Sequence, residues 1–225
     1  MLKIIVICSV QTNCVSLPPS MKLNGIKNII FDFGGVICDL HADRCLDSFA
    51  QLGCKLSLFP TQYSQFDGIF KLIDRGEINN EQFCEALRRE SGKPGISDEE
   101  IRQAWLSVLG EIPEERFEAL DILRQKYNLY ILSNTNEMHW QYISQKSMQY
   151  RGQDTTKWFK EMFLSHKLHL EKPEPEIYKA VLDIAKIKAE ESLFIDDNIP
   201  NLEAAAAMGF NTLHSTGGDW VSKIM

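Results

Sequence analysis

The chain has 225 residues, 44% of them hydrophobic, and a formal net charge of -7. This length suits one large domain or a core with a smaller insert, and the apolar content supports a packed globule over a disordered chain. The acidic balance excludes a general nucleic-acid or anionic-membrane binder, which needs a basic surplus to neutralise phosphates. It leaves room for one phosphorylated small molecule, which a lysine and a few main-chain amides can hold.

Cysteines stand at positions 8, 14, 38, 45, 54 and 84, with no C-x-x-C pair and none in the second half of the chain. That is neither a disulfide framework nor a zinc pattern, and it points to reduced, buried thiols in a cytoplasmic protein. At the N-terminus, "MLKIIVICSV" has one lysine and an apolar run from Ile4 to Val10. The run is too short to span a bilayer, and no small-residue cleavage site follows it. Met21 opens "MKLNGIKNIIFDF", a natural start for a strand-first domain. Residues 1–20 therefore read as an extension outside the fold, with a signal peptide as the alternative.

Ile29 to Phe33 is short, apolar and branched, as a buried strand should be. From His41 to Tyr127 the pattern is helical. "DRCLDSFAQLG" stops at Gly53 and "QYSQFDGIFKLIDRG" at Gly76. "NNEQFCEALRRESG" opens on Asn79-Asn80 and closes on Gly92, and "SDEEIRQAWLSVLG" begins with the capping box Ser97-x-x-Glu100. "EERFEALDILRQKY" is a further amphipathic helix. The rhythm then alternates. "NLYILSN" predicts a strand, Asn136 to Lys146 a helix and "MFLS" a short strand. "PEIYKAVLDIAKI" follows as a helix with Pro175 in its first turn, then strand "SLFIDD", helix "IPNLEAAAAMG" and strand "FNTLHS". Strands alternating with helices imply an α/β fold, a doubly wound parallel sheet covered on both faces. The helical stretch over 41–111 reads as an insert, leaving 21–40 and 112–225 for the core.

Ligand sites in such sheets lie at the carboxyl ends of the strands. The first strand ends at Asp32, the second at Ser133-Asn134-Thr135 and a later one at Asp196-Asp197, while Lys172 in "LEKPEPEIY" opens a helix. Each cluster alone has an ordinary explanation as a turn, an N-cap or a solvated loop. Together, in this order and at strand ends, they converge on one rim. Three carboxylates beside a phosphate make a hard oxygen site that favours Mg2+ over zinc. Asp32 then suits nucleophilic attack on phosphorus to give an aspartyl-phosphate, Lys172 screens charge, and the Ser133 hydroxyl and Asn134 amide hold phosphate oxygens. Gly34 and Gly35 let main chain approach metal and phosphate.

In these four stretches, "FDFGGV", "ILSNT", "EKPEPEIY" and "FIDDNIPN", the sequence resembles the haloacid dehalogenase superfamily of Mg2+-dependent phosphohydrolases, from about Asn28 to His214. The insert resembles the C1-type helical cap of subclass I. The whole is similar to the branch that holds glucose-1-phosphatase-like enzymes and the phosphatase domain of some epoxide hydrolases. The resemblance implies Asp32 as nucleophile and metal ligand, Ser133 and Asn134 as phosphate binders, and Lys172 as the neutralising lysine. It implies Asp197 as a direct Mg2+ ligand, Asp196 as a direct or water-mediated one, the carbonyl of Gly34 as another, and Asn201 as support behind them. A sugar phosphate such as glucose 1-phosphate is the implied kind of substrate.

One position departs from that pattern. Most such phosphatases carry an aspartate general acid at position 34, where this chain has glycine. A missing general acid costs typically ~10²–10⁴ in rate, so a cap residue, the substrate or water must supply the proton, with Asp39 and His41 as nearby substitutes. Without such a donor, weakly basic leaving groups should react fastest. His139 and Trp140 either face the site or pack a helix. His166 and His169 are given no metal role, and Trp105, Phe117 and Tyr127 read as core. Two other classes stay open: a catalytically weak phosphate-binding or regulatory protein, and an interaction module built on the insert.

Overall fold

Asn28–Phe31 (β1) is buried along its whole length, as its apolar sequence requires. In the computed structural model, which describes residues 23–54 and 68–225, it forms the centre of a five-stranded sheet. The extension at 1–20 and the first part of "QYSQFDGIFKLIDRG" lie outside the described residues.

After β1 the chain leaves the sheet for four helices: α1 (Ala42–Gln51), α2 (Ile69–Asp74), α3 (Asn80–Ser91) and α4 (Asp98–Leu106). It returns through α5 (Glu114–Leu123), β2 (Asn128–Ser133) and α6 (Glu137–Tyr142). A two-residue hairpin follows, β3 (Gln149–Tyr150) and β4 (Gln153–Asp154), then β5 (Glu161–Leu164), α7 (Ser165–Leu168) and α8 (Pro175–Ala185). The chain closes with β6 (Ser192–Asp196), α9 (Ile199–Ala207), β7 (Asn211–His214) and α10 (Trp220–Ile224). The sheet order is β5-β2-β1-β6-β7, with every pair parallel and Phe31 level with Ile131 and Ile195.

Parallel strands need crossover helices, so both faces are covered and the period of two divides the core. Ile29, Phe31, Ile131 and Ile195 pack with Phe117 and Leu120 of α5 and Trp220 of α10. Ile30, Leu132 and Phe194 pack with Tyr178 and Val181 of α8 and Leu202 of α9 on the other side. The insert has a core of its own, in which Phe49, Phe70, Phe83 and Trp105 meet, and Phe70 lies 5.0 Å from Trp105 between ring centres. Its helices start where the sequence places them. Asn79 and Gln82 form a capping box on α3, Ser97 and Glu100 one on α4, and Gly92 ends α3 in the left-handed region.

The insert is joined by two adjacent strands of chain. Leu40 bridges Leu109, the Asp39 amide donates to the Glu111 carbonyl at 2.9 Å, and the His41 amide donates to the Val108 carbonyl at 2.7 Å.

Some local structure differs from the sequence reading. The helix after β2 ends at Tyr142 and widens into a π-turn over Ile143–Ser147. The β3–β4 hairpin turns at Arg151 (φ 48°) and Gly152 (φ 75°), and two-residue strands are too short to show alternation. The last helix, α10, has five residues, too few for a helical period, and is fixed by Trp220, whose indole donates to the Val36 carbonyl at 3.0 Å. Cys38, Cys45, Cys54 and Cys84 are buried free thiols, and Cys8 and Cys14 lie outside the described residues. Among the described residues no helix is long and apolar enough to cross a membrane.

Candidate active site

The carboxyl ends of β1, β2 and β6 lie side by side, so the residues that follow them share one rim. Asp32 leaves β1 with its amide bound to the Ile195 carbonyl at 2.8 Å, and its Oδ1 accepts from the Phe33 amide at 2.7 Å. Lys172 reaches in from the loop before α8. Its Nζ lies 2.8 Å from Asp32 Oδ1 and 2.7 Å from Asp196 Oδ2, with the lysine side chain 1% exposed.

Asp196 is fully buried and fully occupied. Besides Lys172 it accepts from both the Asn198 amide at 2.8 Å and Asn201 Nδ2 at 3.1 Å to each oxygen. A buried carboxylate needs such partners, and here they set Asp196 behind the lysine as its anchor. Asp197, next in the chain, is only partly buried and has its main-chain carbonyl held by His214 Nε2 at 3.0 Å. Asp32, Asp196 and Asp197 each offer an oxygen, and these oxygens lie within 4.8 Å of one another.

Burial pushes Asp32 up to about 7, with Lys172 pulling the other way and the carboxylates of Asp196 and Asp197 adding to the rise. Asp197 is also raised, by burial and then by Asp196. Burial works against the charge on Lys172, but Asp196 and Asp32 outweigh it and hold the ammonium above its ordinary value. Three carboxylates against one lysine leave negative charge uncompensated. The all-oxygen donor set fits a hard divalent cation such as Mg2+.

The two glycines after Asp32 serve different ends. Gly35 has φ 75°, and a Cβ there would collide with Asp197 Oδ2. At Gly34 a Cβ would lie 2.8 Å from Leu40 Cδ1, so the space beside this position is taken by an apolar side chain.

Ser133 ends β2, is buried to 4% exposure, and its Oγ takes no protein partner among the described residues. The Asn134 side chain is committed to the lysine loop: its Nδ2 donates to the Lys172 carbonyl and its Oδ1 accepts from the Lys172 amide, both at 2.9 Å. That leaves the Asn134 main-chain amide, not its side chain, for a ligand. Asp32, Gly34, Ser133, Asn134, Lys172 and Asp197 all line one cavity of about 570 Å³. The structure thus brings the strand-end residues together, with Asp196 beneath them.

The substitutes nearest in sequence to Gly34 do not reach this cavity. Asp39 is drawn off by Arg116, whose Nη2 lies 2.7 Å from its Oδ1, and His41 packs beside Gly110 at the insert junction. Arg116 itself escaped the sequence reading. It is buried and donates to the carbonyls of Ile37 at 3.0 Å and Gly217 at 2.7 Å, tying the loop after Asp32 to the C-terminal turn. A lone arginine on an amphipathic helix gave no signal of that.

The insert adds the far wall of the cavity, with Lys71 and Asp74 of α2 and Trp105 of α4. Lys71 Nζ pairs with Glu171 at 2.8 Å, and Arg75 Nη1 with Glu174 at 2.6 Å, so α2 is latched to the lysine loop. His139 is buried against Trp105, ring centres 4.5 Å apart, and its Nε2 lies 3.2 Å from the Trp105 carbonyl. It also lines the cavity, so packing and facing the site are both realised. Burial takes His139 down to about 4, so its ring is neutral. His166 pairs with the Thr135 carbonyl and Glu137 at the base of the rim, and His169 with the Arg75 carbonyl.

A profile of haloacid dehalogenase-like hydrolases matches residues 26–209. The chain belongs to this family. Among haloacid dehalogenase-like hydrolases it is 31% identical over 198 residues to a D-ribitol-5-phosphate phosphatase of Bacteroides thetaiotaomicron, covering 87% of this chain and 95% of the relative. A haloacid dehalogenase family enzyme of the same organism, solved with magnesium and inorganic phosphate, superposes with a TM-score of 0.80 at 37% identity, covering 86% of this chain and 96% of that one. A family hydrolase of Porphyromonas gingivalis superposes with a TM-score of 0.78 at 29% identity, covering 86% and 92%.

Proposed function

We propose that this chain hydrolyses a small polyhydroxy phosphate, of the sugar-alcohol phosphate class, by way of an aspartyl-phosphate on Asp32. It is a phosphoric monoester hydrolase of the haloacid dehalogenase-like family, and its metal is Mg2+. The observation that carries the substrate class is the cavity. Its floor is the carboxylate and lysine rim, its far wall carries Lys71 and Asp74, and the lysine loop adds Glu171 and Glu174, so polar groups able to meet several hydroxyls stand among apolar side chains such as Leu40 and Trp105. The D-ribitol-5-phosphate phosphatase relative supports an open-chain polyol over glucose 1-phosphate.

Asp32, Asp197 and the Gly34 carbonyl would hold the Mg2+, with Asp196 steadying Lys172 behind them. When bound, the ion neutralises phosphate charge so that an anionic nucleophile can approach. Lys172 holds the Asp32 carboxylate in place and adds a second positive charge. The Ser133 hydroxyl and the Asn134 amide donate to phosphate oxygens. Asp32 attacks phosphorus, the alcohol leaves, and water then cleaves the acyl phosphate and restores the carboxylate. The buried free thiols of the described chain fit a cytoplasmic setting.

Phosphate release from D-ribitol 5-phosphate, glucose 1-phosphate and an aryl phosphate, with and without Mg2+, tests the reading. We expect Mg2+-dependent turnover, fastest on the polyol phosphate. No turnover of any of them with Mg2+, while phosphate still binds, would favour a phosphate-binding regulatory protein instead.

A further inference from the structure

We propose that Asp74, supplied by the insert, is the general acid and base that Gly34 cannot be. The inference rests on the phosphatase reading above, and it concerns a residue outside all four strand-end motifs.

A primary alkyl phosphate leaves as a strongly basic alkoxide and needs a proton as its P–O bond breaks. Gly34, two residues after Asp32, has no side chain to donate, the space beside it is taken by the tip of Leu40, and Asp39 is held by Arg116. Within the cavity, Lys71 is exposed and paired with Glu171, and Glu174 is paired with Arg75. His139 is neutral, its Nε2 proton directed to the Trp105 carbonyl. Asp74 remains.

Its carboxyl is aimed by the core. Asn136 Nδ2 donates to Asp74 Oδ1 at 2.8 Å, and the same amide nitrogen lies 3.4 Å from His139 Nδ1. Asn136 is fully buried, and its own Oδ1 accepts from the His139 amide at 2.9 Å, so it does not turn over. Because Oδ1 accepts an N–H, the proton of a neutral Asp74 sits on Oδ2, which takes no partner among the described residues. Asn136 lies two residues past Asn134, within roughly 7 Å of chain from the phosphate-binding turn, and Asp74 is tethered to it.

Burial pushes Asp74 up to about 7, with the Asn136 hydrogen bond opposing and the Glu171 carboxylate adding to the rise. The other charged groups packed around it are spoken for: Lys71 and Arg75 by Glu171 and Glu174, His166 by Glu137, and Lys172 by Asp32 and Asp196. A donor poised near neutrality serves both half-reactions. In the first, Asp32 attacks phosphorus, the P–O bond to the alcohol breaks, and the departing oxygen takes the Asp74 Oδ2 proton. In the second, the Asp74 carboxylate takes a proton from water as the water oxygen attacks the acyl phosphate. The Asp32–phosphorus bond breaks, its electron pair returns to Asp32, and Asp74 is protonated again.

The test compares Asp74→Asn with wild type on D-ribitol 5-phosphate and on nitrophenyl phosphate, whose leaving group needs little protonation, both with Mg2+. Asn keeps the Asn136 contact but has no acidic proton. We expect kcat on the alkyl phosphate to fall ~10²–10⁴-fold and on the aryl phosphate less than about tenfold. The fall of alkyl turnover with rising pH in the wild type should also vanish in the variant. Asp74→Glu should recover part of the alkyl activity. Equal losses on both substrates, or no loss on the alkyl one, overturn the proposal. A wild type that cleaves only the aryl phosphate overturns it too, because no donor then serves the site. A wild type inactive on both overturns the phosphatase reading itself.

Discussion

The rim of the sheet and the insert above it build one cavity by opposite means. At the rim the charged groups lock one another. Lys172 sits between Asp32 and Asp196, and Asp196 is saturated by Asn198 and Asn201. Little there can move without leaving a buried charge unpaired, which costs about 3–5 kcal/mol. The insert instead contributes side chains held through a few contacts to the core: Asp74 by Asn136, Lys71 by Glu171, and Arg75 by Glu174 and the His169 carbonyl. Its helices pack on their own aromatic core and join the sheet through two short connections. The rim thus fixes charges in place, and the insert brings the side chains that line the far side of the cavity.

That division can be broken most directly at Asp32. Asp32→Asn replaces the nucleophile with an amide, and we expect turnover below roughly one-thousandth of wild type with the fold retained. A variant that still releases phosphate near the normal rate would mean that water attacks directly and that the rim only binds. Next is Gly35, whose positive φ and contact with Asp197 leave no room for a side chain. Gly35→Ala should displace Asp197 and weaken Mg2+ binding by about 10–100-fold, read by calorimetry. Unchanged Mg2+ affinity would show that Asp197 is not where the ion sits.

The same division governs what the sequence discloses. Strand-end residues are legible because each motif is local: an apolar run fixes the strand, and the strand fixes where its last carboxylate points. Asp32, Ser133 and Asp197 therefore converge as read, Lys172 joins them from the loop before α8, and Asn201 lies against Asp196. Asp74 and Arg116 were not legible, because each acts through a partner 62 and 79 residues away, Asn136 and Ile37. Nothing in "LIDRG" distinguishes an ordinary helix end from one that lines the cavity. The Leu40 side chain that lies beside Gly34 is a tertiary fact of the same kind. The short hairpin and the C-terminal helix escaped for a simpler reason, having too few residues for a period to show.

A third change probes whether the insert is a separable unit. Trp105 is buried at the centre of its aromatic core and also lines the cavity. Trp105→Ala should cost ~3–5 kcal/mol of packing. If the insert has a core of its own, urea melts should show it loosening first, with alkyl phosphate turnover lost while Mg2+ affinity at the rim persists. A single transition with Mg2+ binding lost in step would mean that insert and sheet stand or fall together.

The smallest effect bears on Asp74 and is one of stability. Its folded pKa, about 7, lies above the ordinary aspartate value of 3.8. Between these values the folded state holds a proton that the unfolded state has lost, so stability falls as pH rises and the full penalty is present above pH 7. His139 runs the other way. Its folded pKa of about 4 lies below 6.5, so it contributes stability that is lost as pH falls through that interval. Asp74→Asn removes the first contribution and leaves the second. The variant should match wild type near pH 4, gain on it as pH rises, and be more stable by ~1–3 kcal/mol at pH 8, the partial exposure of Asp74 cutting the full linkage value. Urea unfolding at pH 5 and pH 8 measures the difference. A group kept at the expense of stability is expected where function requires it. A carboxyl that merely ties α2 to the core would give the opposite sign, with the variant less stable than wild type at pH 8.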